Sequence, residues 1–204
     1  MIPNNTSLLK QFAAGLVVLA LSLGMTWAAL AAQYEAGGDV PYVPTPPEVV
    51  ESMLKLADVK STDFVVDLGC GDGRIVVMAA EKFGARARGV DLNPVRIQEA
   101  EANAKKAGVT DRVKFVQGNL FDAEVKDATV VTLYLLPDVN LKLRPKLLRD
   151  LKVGTRIVSH SFDMGAWPPD KKIELGWRRV YLWTVTDQAK AAYGGHESST
   201  SGSR

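Results

Sequence analysis

An open α/β sheet, doubly wound and mostly parallel, with an antiparallel hairpin at its C-terminal end, is the fold this sequence predicts. Three observations predict it. Short β-branched runs alternate with segments of helical periodicity between residues 46 and 159, as strands joined by crossover helices do. The first of these runs, Asp63-Phe-Val-Val-Asp-Leu-Gly-Cys-Gly-Asp-Gly-Arg74, passes directly into a glycine turn and a helix. The alternation then stops. The last two apolar runs, 172–175 and 180–185, are separated only by a short connection around Gly176, which leaves no room for a helix and requires antiparallel pairing.

The elements follow in order. Thr45, Pro46 and Glu48 have capping-box spacing with proline at the first helical position, so a helix is expected over 46–57, with Val49, Val50, Met53, Leu54 and Ala57 on one face. The first strand ends at Leu68. A helix is expected over 74–83, stopped by Gly84. A strand over 87–90 follows, with Asp91 at its C-terminal end, then a helix over 94–107 and Gly108. Strands are expected at 113–116, 128–136 and 156–159, with a leucine-rich helix over 140–151 between the last two. With the terminal pair this makes seven strands.

The two ends read differently. No charged side chain occurs from Gln11 to Tyr34, and residues 12–32 are mostly Ala, Leu and Val. About 20 such residues suffice to span a bilayer, and the small residues Ala29 to Ala32 also fit a signal cleavage site. Residues 1–32 are therefore expected to be a signal peptide or a membrane anchor, which places the domain on a membrane or outside it. Lys10 on one flank, with Glu35 and Asp39 on the other, favours an exported domain. Residues 33–45, with their glycines and prolines, read as a linker; 46–185 as the domain; 186–204, ending in a serine-rich run, as a disordered tail.

Composition excludes little. The hydrophobic fraction of 47% and charged fraction of 24% are ordinary for a globular chain. A net charge of +2 gives no reason to expect a nucleic-acid partner. Lys142, Arg144, Lys146 and Arg149 are expected to be a solvated helix face. Cys70 is the only cysteine, which excludes an internal disulfide. No metal site is expected; His196 lies in the tail.

The glycine turn carries the chemistry. Gly69, Gly71 and Gly73 alternate, so the third glycine comes one residue earlier than in the dinucleotide fingerprint, and no Gly-Lys-Ser/Thr follows. Asp67 lies two residues before the turn. Asp91 lies 22 residues after Gly69 at a strand end, where a carboxylate can accept ribose hydroxyls. Asp72 is read equally as a helix cap or a ligand contact.

Asp-Leu-Gly-Cys-Gly-Asp-Gly-Arg at 67–74 and Gly-Val-Asp at 89–91 resemble the first two motifs of the seven-stranded, Rossmann-like methyltransferases that depend on S-adenosylmethionine (SAM). The resemblance covers residues 46–185. It implies SAM across the strand ends, with Asp67 and Gly69, Gly71 and Gly73 near the methionine part, Asp91 on the ribose, and Leu92 and Asn119 by the adenine. Tyr42-Val-Pro-Thr-Pro-Pro47, Thr132-Leu-Tyr-Leu-Leu-Pro137 and Ser159-His-Ser-Phe162 further resemble a smaller group. It comprises membrane-anchored protein-lysine methyltransferases acting on the ATP synthase c-subunit and the adenine nucleotide translocase, and their bacterial relatives. That resemblance implies a protein substrate, of membrane origin in those cases. Methylation of a small molecule or lipid headgroup, and an exported non-catalytic binding protein of the same fold, stay open.

Tyr134, Asn140 and His160 are the candidates for the acceptor side. Tyr134 offers a ring to a cationic amine and His160 a proton acceptor; each is read equally well or better as a packed structural residue. Trp167 is expected to pack over the sheet edge, with a lid as the alternative, and residues 42–45 to fold over the cofactor.

Overall fold

A computed structural model describes residues 42–195; the expected signal or anchor at 1–32, most of the linker and the tail beyond 195 lie outside the described residues. Seven strands form one sheet in the order β3-β2-β1-β4-β5-β7-β6. These are β1 (Phe64–Leu68), β2 (Arg86–Asp91), β3 (Val113–Gln117), β4 (Val130–Leu133), β5 (Arg156–His160), β6 (Lys171–Leu175) and β7 (Arg178–Thr184). The first five are mutually parallel, while β7 runs antiparallel to both β5 and β6. The expected architecture is present.

Helices cover both faces, so the strands read as continuous apolar runs rather than alternating ones. On one face α1 (Pro47–Leu56), α2 (Arg74–Phe83) and α3 (Pro94–Ala107) bury Val49, Met53, Leu54, Ile75, Val76 and Ile97 against Val65, Val130, Val158 and Val180. On the other, α4 (Pro137–Asp150) and α5 (Asp187–Tyr193) cover Val66, Leu68, Val131, Leu133 and Ile157. Successive residues of β1 and β5 thus enter opposite cores.

Four expectations need correction. The capping box at α1 does not form. Pro46 is the N-cap, with no side-chain cap bond, and the Thr45 hydroxyl is turned away to His160. β4 is shorter than expected and α4 starts earlier, at Pro137, because proline suits a first helical turn. The basic face of α4 is solvated only in part: Lys142 and Arg149 are exposed, but Arg144 is buried, donating to the Met164 carbonyl at 2.8 Å, and Lys146 pairs with Asp150 at 2.7 Å. The tail begins with α5, since the Thr186 hydroxyl caps it and Ala189 and Tyr193 pack on the core. Tyr193 stacks on Trp167, which is itself buried against Trp183. Trp167 is therefore a packing residue and not a lid.

After β3 the chain crosses back to the other side of β1 to form β4, so connections leave β1 and β4 in opposite directions. A crevice opens between their C-terminal ends. β7 starts beside the end of β5, with Val180 opposite His160. The β6–β7 turn, carrying Gly176 and Trp177, therefore rises on this same edge.

Candidate active site

The crevice has two sides. On the β1–β2–β3 side the glycine turn bends under backbone control. Gly69 and Gly71 take φ of +79° and +52°, a region that L side chains rarely occupy. Gly69 and Cys70 donate their N–H groups to the Val90 carbonyl at 2.8 and 3.0 Å, which pins the turn to the end of β2. Asp91 completes the clamp. Its two carboxylate oxygens accept from the N–H groups of Gly71 at 2.8 Å and Asn93 at 2.9 Å. A carboxylate has about four lone-pair sites, so two further hydroxyls fit there, as a ribose diol requires.

Leu92 and Val95 stand exposed beyond Asp91, and Phe121 is exposed in the short turn that follows β3. These apolar surfaces suit the faces of a purine. Asn119 spends its amide oxygen on the Phe121 N–H at 2.9 Å, capping the short 3₁₀ turn Leu120–Asp122, and keeps one lone pair. Asp72 is held by the Arg74 guanidinium at 2.6 Å and accepts weakly from the Arg74 N–H, while Gly73 is the N-cap of α2. Burial works to raise Asp72, yet the guanidinium outweighs it and keeps the carboxyl below its ordinary range. Gly73, in the N-cap, closes the turn.

Asp67 lies beneath the turn rather than on its surface. It is 2% exposed and accepts from the Thr132 hydroxyl at 2.6 Å. Burial pushes it up to about 7 against that hydrogen bond, and the Asp91 and Asp72 charges add to the rise. Cys70 is buried too, and burial pushes its thiol up, which leaves it un-ionised and inert as a nucleophile.

The strap before α1 crosses this edge. The Tyr42 ring lies on Gly71 so closely that a Cβ there would meet its Cε2 at 2.6 Å. The Arg96 guanidinium stacks on the ring at 4.4 Å. Arg74 donates to the Thr45 carbonyl at 2.9 Å. Residues 42–45 are thus seated against the glycine turn.

The β4–β5–β7 side is built from side chains. Tyr134 follows β4 and His160 ends β5; their rings lie 4.0 Å apart. Phe162 stacks near Tyr134 at 6.3 Å. Ser161 is held at φ +66°, with the Phe162 N–H donating to the His160 carbonyl at 2.8 Å, and this turn returns the Phe162 ring to the cluster. His160 is 1% exposed. Its Nδ1 meets the Thr45 hydroxyl at 3.3 Å, and its buried Nε2 has no partner among the described residues. Burial first, and the Arg178 charge second, lower it to about 4, so the imidazole is neutral at physiological pH.

Asn140 separates from this pair. It lies on the face of β5 opposite His160, with its amide near Ser159 and the carbonyls of Phe162 and Asp163 at 3.2 to 3.5 Å. It clasps the loop after β5 from below, which makes it a support of the site. Arg96 and Arg178 are site neighbours that the sequence did not single out. Thr45, Thr132 and Phe162 lie in motifs that it did, but their partners His160, Asp67 and Tyr134 came only with the fold.

Comparison with known proteins gives a consistent set of relatives. Residues 67–171 match the family described as the ANTKMT methyltransferase domain. A protein-lysine N-methyltransferase of Saccharolobus islandicus is 52% identical over 151 residues, covering 72% of this chain and 94% of that protein. The adenine nucleotide translocase lysine N-methyltransferase of Mus musculus is 37% identical over 147 residues, covering 72% of this chain and 63% of that protein. Among solved structures, an RNA methyltransferase from Salinibacter ruber in complex with S-adenosyl-L-homocysteine superposes with a TM-score of 0.71 at 55% identity. That match covers 71% of this chain and 95% of the other.

Proposed function

The chain belongs to the ANTKMT methyltransferase family and is a SAM-dependent methyltransferase; from that premise we propose that its acceptor is the side-chain amine of lysine in a protein. The observation that carries the reading is the aromatic wall of Tyr134, His160 and Phe162 at the ends of β4 and β5, on a chain 52% identical to a protein-lysine N-methyltransferase.

We assign the crevice side of Asp91, Leu92, Asn119 and the glycine turn to the donor. Bound there, SAM supplies an electrophilic methyl group on a sulfonium. The chain's residues have three tasks on the other side. The Tyr134 and Phe162 rings receive a cationic amine on their faces. Desolvation lowers the amine's pKa from about 10.4, and the Arg178 charge that lowers His160 acts in the same direction, so that a proton is lost to water. The neutral amine is then held in line with the methyl group. An N–C bond forms as the S–C bond breaks, and a second proton leaves the alkylated nitrogen for water.

Incubating the full chain with labelled SAM and a cell lysate, then separating protein, RNA and lipid, tests the assignment. Label recovered as methyl-lysine in protein is the expected result. Label in RNA alone would support a second reading, which rests on the likeness to the RNA methyltransferase from Salinibacter ruber. The loop after β4 reads Leu-Pro-Asp, without the Asn/Asp-Pro-Pro-Tyr pattern of enzymes acting on nucleobase nitrogens. Label in lipid alone would favour a headgroup acceptor.

We further infer a membrane-held position for the domain. The support is the uncharged stretch 12–32 and the place where the chain enters the domain, since Tyr42 sits on the active-site edge. The exposed apolar side chains Val43, Leu136 and Trp177 stand on that same edge, with Trp177 78% exposed at the hairpin tip. Among the described residues no helix is long and apolar enough to cross a membrane; the anchoring is assigned to 12–32. Alkaline extraction of membranes checks it: the full chain should stay with the pellet, and a chain lacking residues 1–32 should not.

A further inference from the structure

The Thr45 side chain is in the wrong place for the job its sequence position suggests. It precedes Pro46 with capping-box spacing to Glu48, yet it makes no cap bond. It is buried, and its hydroxyl contacts Nδ1 of His160, 115 residues away. The backbone of the same residue is fixed from the donor side, because its carbonyl accepts from Arg74, the neighbour of Asp72. One residue therefore touches both halves of the crevice.

Nε2 of His160, fully buried beside the Tyr134 ring, has no hydrogen-bond partner among the described residues. A buried polar atom without a partner is costly and calls for an explanation. Two neutral tautomers exist. With the proton on Nε2, the ring would need an acceptor there. With the proton on Nδ1, it needs a donor, and a lysine amine is a donor. Resting on the lysine reading above, we propose that Thr45 is a positioning residue: its hydroxyl accepts the Nδ1 proton of His160 and so keeps Nε2 bare, and Nε2, covered in this structure, is uncovered as the acceptor enters and receives an N–H of the amine. Receiving that hydrogen turns the amine lone pair toward the methyl group. His160 is then an orienting acceptor and not a general base. The low basicity of the buried ring agrees with this, since such a ring stays neutral and cannot hold a proton taken from an ammonium.

The test uses the full chain with ¹⁵N-labelled histidine. The protein contains two histidines, His160 and His196, so a His196→Gln variant assigns the signals. Nitrogen chemical shifts at neutral pH should show His160 protonated on Nδ1 and bare at Nε2. Thr45→Val should mix the tautomers, and Thr45→Ser should restore the single form. The same proteins are compared for methyl-lysine formation at saturating SAM. Thr45→Val should slow transfer by roughly a hundredfold, the scale of a misplaced reacting group, while S-adenosylhomocysteine affinity by calorimetry changes less than about threefold. Thr45→Ser should recover transfer to within about threefold of the wild type.

A wild-type His160 protonated on Nε2 overturns the proposal, even where Thr45→Val fails to fold. Unchanged transfer by a folded Thr45→Val protein overturns it as well. Failure of the lysine reading looks different: the wild type would form no methyl-lysine, whatever the tautomer of His160.

Discussion

The donor and acceptor sides of the crevice are made of different material. The donor side is mostly backbone: a glycine turn tied to the Val90 carbonyl and to Asp91, all within about one strand–helix–strand unit. The acceptor side is mostly side chains gathered from far apart, with Thr45, Tyr134, His160 and Phe162 meeting at the ends of β4 and β5. Each side also buries a group that titrates near or below neutrality, with opposite consequences. Burial holds a proton on Asp67 and keeps one off His160. The contrast indicates that binding the donor is a local property of this chain, whereas orienting the acceptor depends on the whole sheet being assembled.

If that division is right, substitutions should separate cleanly by side. The largest effect is expected from Asp91→Ala, which removes the acceptor of the Gly71 and Asn93 N–H groups and the carboxylate proposed to hold the ribose. Losing two charge-assisted hydrogen bonds costs about 4 kcal/mol, close to a thousandfold in S-adenosylhomocysteine affinity by calorimetry. A donor affinity that survives this change would break the comparison. His160→Ala should do the converse. Transfer should fall by roughly a hundredfold while donor affinity stays within about threefold, measured by single-turnover labelling and calorimetry on the same preparation. Loss of donor binding here would mean that the two sides are not separable.

The buried charges allow a test without substrate. Asp67 has a folded pKa raised to about 7, so its contribution to stability is full below its unfolded pKa and is lost as pH rises toward 7. Asp67→Asn removes that penalty. The variant should gain on the wild type as pH rises from 4 to 8, by up to about 1.4 kcal/mol for each unit between the ordinary carboxyl range and 7, read from denaturant midpoints. His160 has a depressed folded pKa of about 4, so its contribution is lost as pH falls from the ordinary histidine range through 4. The wild-type curve should therefore be squeezed from both directions, and Asp67→Asn should relieve only the alkaline one. The smallest effect is expected from Tyr42→Ala. Removing a ring held by Gly71 and Arg96 should weaken donor binding about fivefold, the scale of a half-exposed cation–π contact of about 1 kcal/mol. Unchanged affinity would show that residues 42–45 serve the acceptor side alone.

Legibility in the sequence follows the same division. Arg74–Phe83 and Pro94–Ala107 are helices at the expected boundaries, because glycine at one end of each and glycine or proline at the other leave the backbone few choices. Asp91 stands where spacing put it. Asp67 was legible as a motif residue but not as a buried acid bonded to Thr132, since that contact joins neighbouring strands 65 residues apart. Thr45 was misread for a related reason. A capping signal is local, and a local signal loses when a buried histidine elsewhere offers the hydroxyl a better-shielded partner. Asn140 and His160 looked equivalent as candidate polar residues. Helix packing placed the Asn140 amide under the loop after β5, and strand alternation sent His160 to the other face.

By itself the sequence determined the alternation of strands and helices, the hairpin at the end, and the chemistry of the glycine turn. Those features rest on backbone propensities and on residues close together in the chain, where few conformations compete. Only the tertiary structure decided which polar atoms are paired and which are left bare. Burial and hydrogen-bond partners depend on which strands become neighbours. The pairing of Thr45 with His160, which leaves Nε2 of His160 open, exists only once β5 has been placed beside β4 and α1 has closed over them.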